Sequence, residues 1–340
     1  MATTPQAQPP SPAILFDTLN AYQRTASLKA AIELDVFTAI GEGNATLAAL
    51  APRCAASEKG MRVLCDYLTV AGLLTKDGNA YALTPESAAF LDRRLPTYMG
   101  TIARFINSPE LMDSFKDVAA VVRKGGTIAS EEGTVEPENP LWVEFARSMA
   151  PMMTLPAEMI AKITGAQSGE PWKVLDIAAG HGLFGITIAK HNPQAAIVAV
   201  DWAGVLEVAK ENARVAGVAA RYSTLPGSAF EADFGGGYDL ALITNFLHHF
   251  DPPTCEALLR RVHAALKPGG RAATLEFVPN DDRVSPPVAA QFSLMMLGTT
   301  RAGDAYTFRE FEDMFRNAGF SRSEIHPLSP TPQQLIISYG

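Results

Sequence analysis

Cysteine is scarce in this 340-residue chain, which has three: Cys54, Cys65 and Cys255. Their number is odd and no two stand in a C-x-x-C pair, which argues against a disulfide framework or a thiolate zinc site and for a reducing, cytoplasmic setting. Charge is thin, at 19% of residues, and positive charge is in deficit: 28 Lys and Arg face 36 Asp and Glu, a net charge of −8. Such a field repels polyanions, so nucleic acid is not an expected partner. No stretch approaches the roughly 18 unbroken apolar residues that a membrane span needs. The opening MATTPQAQPPSP has neither the basic nor the apolar region of an export signal, and an unexported protein with no membrane partner is expected. What the chain does have is apolar content, 47% of residues, enough for a large core everywhere except the proline-rich start from Ala2 to Pro12, which reads as unfolded. At about 150 residues per domain, its length implies two domains.

Between Ala13 and Ile40, Ile14, Leu15, Leu19, Tyr22, Ala26, Ala30, Leu34 and Phe37 recur at helical spacing, which predicts an amphipathic helix in two pieces. Further helices are expected after Thr46 and from Ser57 to Ala71, the latter with Ser57 as N-cap. Asp77-Gly78 between two short apolar runs then signals a hairpin. Helices followed by a hairpin outline a winged helix, and a DNA-binding regulator is the rival reading of that outline. Its candidate reading helix, however, sets only Lys59 and Arg62 against Glu58 and Asp66, and Met61, Val63, Leu64, Leu68 and Val70 dominate it. That composition fits packing or dimerisation better than a DNA groove. The pattern stays helical to Ile163, broken by a loop from Gly125 to Pro140. Trp142, Phe145, Met149 and Met152 there form a methionine-rich face that suits either ordinary core or a pliable ligand pocket.

From Trp172 the grammar changes. Val174–Ile177, Ile197–Asp201, Tyr238–Asn245 and Arg271–Phe277 read as strands, alternating with helices after Gly182, over Leu206–Ala216 and over Pro253–Ala265. This is the pattern of an α/β, doubly wound parallel sheet, with a domain boundary expected near Thr164–Pro171. Ligands of such sheets sit beyond the carboxyl ends of the strands. There stand the G-x-G-x-x-G run Gly180-His181-Gly182-Leu183-Phe184-Gly185 and, ending the next strand, Asp201, whose carboxylate can accept both hydroxyls of a ribose. A nucleoside ligand follows. An NAD-dependent oxidoreductase shares this motif. Asp176, inside the end of the first strand, suits a cation better than a pyrophosphate, and S-adenosylmethionine carries a sulfonium and an ammonium and no phosphate.

Taken together, Val174-Leu175-Asp176-Ile177-Ala178-Ala179-Gly180-His181-Gly182, Asp201, Gly227-Ser228-Ala229-Phe230, Asn245-Phe246-Leu247-His248-His249-Phe250-Asp251, Leu266-Lys267-Pro268-Gly269-Gly270 and Thr307–Phe320 resemble one known family. It is the class I S-adenosylmethionine-dependent O-methyltransferases with an N-terminal winged-helix dimerisation domain, as in plant phenolic and bacterial natural-product enzymes. The likeness runs from about Ile14 to Ser338. It implies a mainly helical, winged-helix dimerisation domain over 13–100, a helical linker contributing to the substrate pocket over 101–165, and a Rossmann-like methyltransferase domain over 166–340, assembled as a homodimer. It implies donor contacts from Asp176, Ala178, Gly180, Gly182, Asp201, Trp202, Ser228, Ala229, Phe230 and Asn245, with S-adenosyl-L-homocysteine as the spent product.

The same resemblance makes His248 the general base and Glu276, ending the next strand, the carboxylate that orients it. A sulfonium already supplies the leaving group, so the remaining task is to take a proton from a hydroxyl, which a neutral imidazole does near neutral pH. A structural histidine that caps the following helix is the plainer reading of His248, and an H-x-D iron site at His249-Phe250-Asp251 is improbable on a parallel sheet. No metal is expected. The acceptor is expected to be a small, flat, aromatic or phenolic molecule held by Phe145, Met149, Met152, Phe292, Met295, Met296 and His249. Ala178, Ser228, His249 and Ala305 depart from the family pattern, in place of Gly, Asp, Asp and Glu respectively. Asp176, Gly180, Gly182 and Asp201 are intact, so the donor assignment stands, but the changes keep C- or N-methylation open.

Overall fold

The computed structural model describes residues 10–340, so most of the start read as unfolded, Ala2 to Pro12, and of the stretch searched for an export signal lies outside the described residues. The chain divides into two compact units, one ending at Ala103 and the other running from Arg104 to Gly340.

In the first unit the stretch expected as a helix in two pieces forms three, Ala13–Leu19, Ala21–Glu33 and Val36–Gly41. Asp35 causes the extra break, because its φ of 60° lies in the left-handed region and turns the chain. Helices Leu47–Arg53 and Glu58–Val70 follow, the second capped as expected by Ser57, whose Oγ accepts the Gly60 N–H at 3.1 Å. Strands β1 (Leu74–Asp77) and β2 (Ala80–Leu83) form the antiparallel hairpin around Gly78. Phe37, Leu50, Met61, Cys65, Leu68, Leu74 and Tyr81 make a closed core. Val63 and Val70 of the capped helix are exposed. The first helix buries none of its residues, and Ile14, Leu15, Phe16, Leu19 and Tyr22 stand in solvent.

The second unit is built on seven strands: β3 (Lys173–Ile177), β4 (Ala196–Asp201), β5 (Tyr222–Pro226), β6 (Tyr238–Thr244), β7 (Leu266–Glu276), β8 (Arg322–Pro327) and β9 (Gln334–Tyr339). Their order is β5-β4-β3-β6-β7-β9-β8, parallel except that β9 runs against both of its neighbours. Leu175, Ile177, Leu240, Leu242, Ala273 and Leu275 are wholly buried, as the strands of a sheet covered on both faces must be. Helices Ala150–Ile163, Leu183–His191 and Ala203–Val215 supply one covering core, and Pro252–Ala265 with Phe308–Asn317 supplies the other. Chain order reverses between β3 and β6, which opens the crevice of the sheet at their carboxyl ends.

At three places the structure adds to the sequence reading. The contacts divide the chain at Ala103–Arg104, next to the end expected for the dimerisation domain at 100, and Met153, Ala157 and Ile160 of the segment read as a helical linker pack in the sheet's own core. The short strand β5 had no counterpart in the sequence reading. The Leu266–Gly270 segment, which lies outside the strand expected over Arg271–Phe277, is the start of β7, which follows β6 through a shift of register between Tyr238 and Leu240.

Candidate active site

The first strand-end turn carries two glycines that backbone geometry demands. Gly180 and Gly182 have φ of 56° and 74°. A Cβ on Gly182 would come within 2.6 Å of the Tyr222 hydroxyl, and one on Gly180 would meet the Phe145 ring at 3.4 Å. Ala178, where the family pattern has glycine, is held at φ 52° despite its side chain, and Asn245 at φ 53°. Two non-glycine residues in the left-handed region at neighbouring strand ends mark a strained rim to the crevice.

Asp201 ties this rim together. Its Oδ2 accepts the Gly180 N–H at 2.8 Å, its Oδ1 accepts the Trp202 N–H at 2.7 Å, and its carbonyl accepts the Gly227 N–H at 2.9 Å. The carboxylate therefore caps the glycine turn rather than the next helix. Burial pushes its pKa up to about 6 against those two N–H bonds. Beyond Gly227, the Ser228 Oγ accepts the Phe230 N–H, and Arg261 donates to the carbonyls of Ala229 and Ala232, so the 227–232 segment is clamped from below. Phe230 sits edge-on to Phe250 at 4.9 Å.

Asp176 is elsewhere than its spacing suggested. It is wholly buried beneath the turn, where Oδ2 accepts the Gly185 N–H at 3.1 Å and Oδ1 has no partner. Burial raises it to about 8. The phenol of Tyr222, also buried and unpartnered, was not anticipated from sequence.

The second constellation is formed by the turn Leu247–His249 and the end of β7. Glu276, wholly buried, accepts the N–H groups of Phe246, Leu247 and His248 on Oε1 at 3.1, 2.8 and 3.4 Å. Its Oε2 meets His248 Nδ1 at 2.5 Å. Asp251, not His248, caps the following helix, accepting the Thr254 N–H at 2.9 Å. Phe292 stands edge-on to the His248 ring at 4.8 Å and stacks on Phe277 at 4.0 Å. His249 lies 4.3 Å from His248 and edge-on to Trp142 at 5.1 Å, and burial, with His248 beside it, holds its pKa well below the ordinary range.

Of the expected pocket residues, Phe145, Phe292 and His249 are joined to these centres by ring contacts, Phe145 reaching Trp142, Phe105 and the turn residue His181. Met295 and Met296 share a helix face with Phe292, three and four residues on, and Met296 is buried. Met149 is buried, and Met152 packs against the core under β3 rather than against the imidazoles. Trp142 is placed by its indole N–H, which donates to the Thr134 carbonyl at 2.8 Å. Among the described residues no group of three or more His, Cys, Asp or Glu could hold a metal ion, and no helix is long and apolar enough to cross a membrane.

Comparison with known proteins adds the following. The O-methyltransferase domain family matches residues 137–321, and the O-methyltransferase dimerisation domain family matches residues 16–93. The chain is 56% identical to a solved candidate O-methyltransferase of Nostoc punctiforme, covering 98% of this chain and 100% of that one with a TM-score of 0.95. It is 27% identical to the 3-hydroxy-5-methyl-1-naphthoate 3-O-methyltransferase of Streptomyces sahachiroi, over 91% of this chain and 90% of that one. Human N-acetylserotonin methyltransferase, solved with S-adenosylmethionine, has the same fold at 22% identity and a TM-score of 0.85, covering 99% of both chains.

Proposed function

This chain belongs to the O-methyltransferase family and is an S-adenosylmethionine-dependent O-methyltransferase; from that premise we propose that it methylates a hydroxyl of a small aromatic molecule, with His248 as the base. The observation that carries the reading is the buried His248–Glu276 pair beside stacked Phe277 and Phe292.

The crevice fits the donor. Two glycines at positive φ let a ligand approach backbone, and Asp201 has a carboxylate at the rim for two hydroxyls. Gly180, Gly182, Asp201, Trp202 and the Ser228–Phe230 segment would hold the adenosine, with Ala178 and Asn245 along the same rim and Asp176 beneath the turn, bound to the Gly185 N–H. When bound, the donor supplies an electrophilic methyl group on a sulfonium.

The protein's part is positioning and proton transfer. With its Nδ1–H donated to Glu276, His248 is fixed in the tautomer whose Nε2 lone pair can take the hydroxyl proton. The imidazolium so formed lies against a carboxylate, which stabilises it. Phe292 and His249 hold the ring on two sides, and Phe145, Met149, Met295 and Met296 supply pliable apolar walls for a flat acceptor. The naphthoate substrate named for the Streptomyces relative supports an aromatic acceptor.

The test is turnover of methyl-labelled S-adenosylmethionine with a panel of hydroxylated one- and two-ring aromatics. Label in an aryl methyl ether is expected; label on carbon or nitrogen, or transfer only to aliphatic acceptors, would overturn the reading.

The first unit is read as a winged-helix dimerisation module, and the protein as a cytoplasmic homodimer. Support comes from the dimerisation-family match and from an apolar first helix beside a groove of about 630 Å³ lined by Tyr22, Ala26, Val63, Leu64 and Tyr67. Sedimentation should give twice the chain mass, and Leu19→Glu, which sets a charge on that helix, should shift it to monomer. A monomeric wild type would contradict the assignment.

A further inference from the structure

The turn that carries His248 is held through its amides and through its carbonyls, and the mechanism uses only the first. The N–H groups of Phe246, Leu247 and His248 converge on Glu276. The carbonyls have other partners. That of Leu247 accepts the Cys255 thiol at 3.2 Å. That of Phe250 accepts the Tyr306 hydroxyl at 2.6 Å, with the Cys255 sulfur farther off at 3.7 Å. Cys255 is wholly buried, and Tyr306 is 4% exposed and edge-on to Phe311. Burial also raises the Tyr306 phenol above its ordinary range, so it stays a donor.

The His248 carbonyl itself meets backbone. A Cβ on Gly303 would come within 2.3 Å of that oxygen and 2.9 Å of the His249 carbonyl carbon, so glycine is what lets the 300–306 segment lie this close. The segment is fixed in its turn: the Gly303 N–H donates to Thr300 Oγ1 at 2.9 Å, and the Thr300 carbonyl accepts the Thr127 N–H at 2.8 Å. A hydrogen bond constrains direction as well as distance, which packing against Gly303 does not. The Tyr306 hydroxyl is therefore the directional tie between this segment and the turn. Such a tie matters next to a proton acceptor, because a misplacement of about 1 Å can cost roughly 10²-fold in rate.

We propose that Tyr306 is a positioning residue for methyl transfer: its hydroxyl on the Phe250 carbonyl, with Gly303 against the His248 carbonyl, braces the carbonyl side of the turn as Glu276 braces the amide side. The brace keeps the His248 ring in register with the Glu276 carboxylate. It rests on the reading of His248 as the base.

The test compares Tyr306→Phe with Tyr238→Phe in the full-length protein. Tyr238 is a comparably buried phenol whose hydroxyl donates to the Phe234 carbonyl at 2.7 Å, but it stands at the start of β6, the end remote from the turn. Each variant loses one phenol–carbonyl bond, so their stabilities should fall alike. The readouts are kcat with labelled S-adenosylmethionine and the best acceptor of the hydroxylated aromatic panel, calorimetric affinity for S-adenosylhomocysteine, and the His248 imidazole ¹⁵N and Nδ1–H resonances, which need no acceptor. Tyr306→Phe should lower kcat roughly tenfold, leave S-adenosylhomocysteine affinity within about twofold, and shift or broaden the His248 resonances. Tyr238→Phe should change none of the three. If Tyr306→Phe does not fold, Gly303→Ala, which drives a methyl against the His248 carbonyl, is read in the same way. A Tyr306 variant that matches Tyr238→Phe in kcat or in the resonances, or that loses kcat and donor affinity alike, would overturn the proposal. His248→Ala separates the two readings: wild-type turnover there would remove the base, and the proposal with it, whereas lost turnover there beside an unaffected Tyr306→Phe would overturn the positioning role alone.

Discussion

Glutamine at position 276 separates the shape of the Glu276 side chain from its charge. In the native site one carboxylate oxygen serves three backbone N–H groups while the other meets His248 Nδ1. A carboxamide of the same outline can keep its carbonyl on the three N–H groups only by turning its NH2 toward Nδ1. Nδ1 must then accept, the ring proton moves to Nε2, and the nitrogen facing the pocket can no longer take a proton. The opposite rotamer keeps the native tautomer but drives NH2 against three buried donors, at roughly 1–3 kcal/mol for each one left bare. That exceeds the about 0.5–1.5 kcal/mol that a single neutral hydrogen bond returns. The first rotamer wins, and the tautomer inverts. Loss of a correctly held base is expected to lower kcat by roughly 10²- to 10⁴-fold, while affinity for S-adenosylhomocysteine stays as in the wild type. Turnover of labelled donor measures the first effect, calorimetry the second, and imidazole ¹⁵N shifts report the tautomer without any acceptor present. Wild-type turnover with an inverted tautomer would remove His248 from the proton path. A native tautomer in the variant would refute the account of the three N–H groups.

Two further predictions concern the donor's side of the crevice. Burial lifts Asp201 to about 6, above the ordinary carboxylate range, so the ligand-free protein holds a proton there that the unfolded chain has already lost. Only the ionised form can accept two ribose hydroxyls, hence affinity for S-adenosylhomocysteine should rise as pH climbs through about 6 and then level off, with proton release on binding near that pH; a flat profile would exclude Asp201 as the ribose acceptor. Alanine at Gly182 should cost about 1–2 kcal/mol for its positive φ plus the clash with the Tyr222 hydroxyl at 2.6 Å. Gly217→Ala, at φ 73° with nothing within 4 Å, should cost the backbone part alone. Urea midpoints compare the two, and equal losses would mean that the turn has room for a side chain.

What could be read from sequence was whatever repeats or sits at the end of a regular element. Helical spacing and fully apolar strands locate the sheet, and Gly180, Gly182 and Asp201 are legible because the chemistry of such sheets gathers at strand ends, whereas His248 and Glu276 were singled out through the family resemblance. Strand β5 escaped because its five residues end in Pro226 and carry neither an apolar run nor a regular alternation in burial. The orientation of Asp176 was not legible, because spacing reports distance along the chain and not which side of a turn a side chain enters: its strand position directs it under the helix that begins at Leu183, toward the Gly185 N–H.

Gln333 shows the limit most clearly. Nothing around it in the sequence marks it for burial, because its partner is the Met153 sulfur, 180 residues away, with Asn245 beyond that sulfur. The register of β9 against β7 sets Gln334 opposite Glu276, so Gln333 comes to the sheet end where Glu276 stands only through the pairing of the last strand. A residue whose surroundings depend on the final strand cannot be legible locally. A slip of one residue in that strand would turn Gln333 to the opposite face of the sheet, away from Met153.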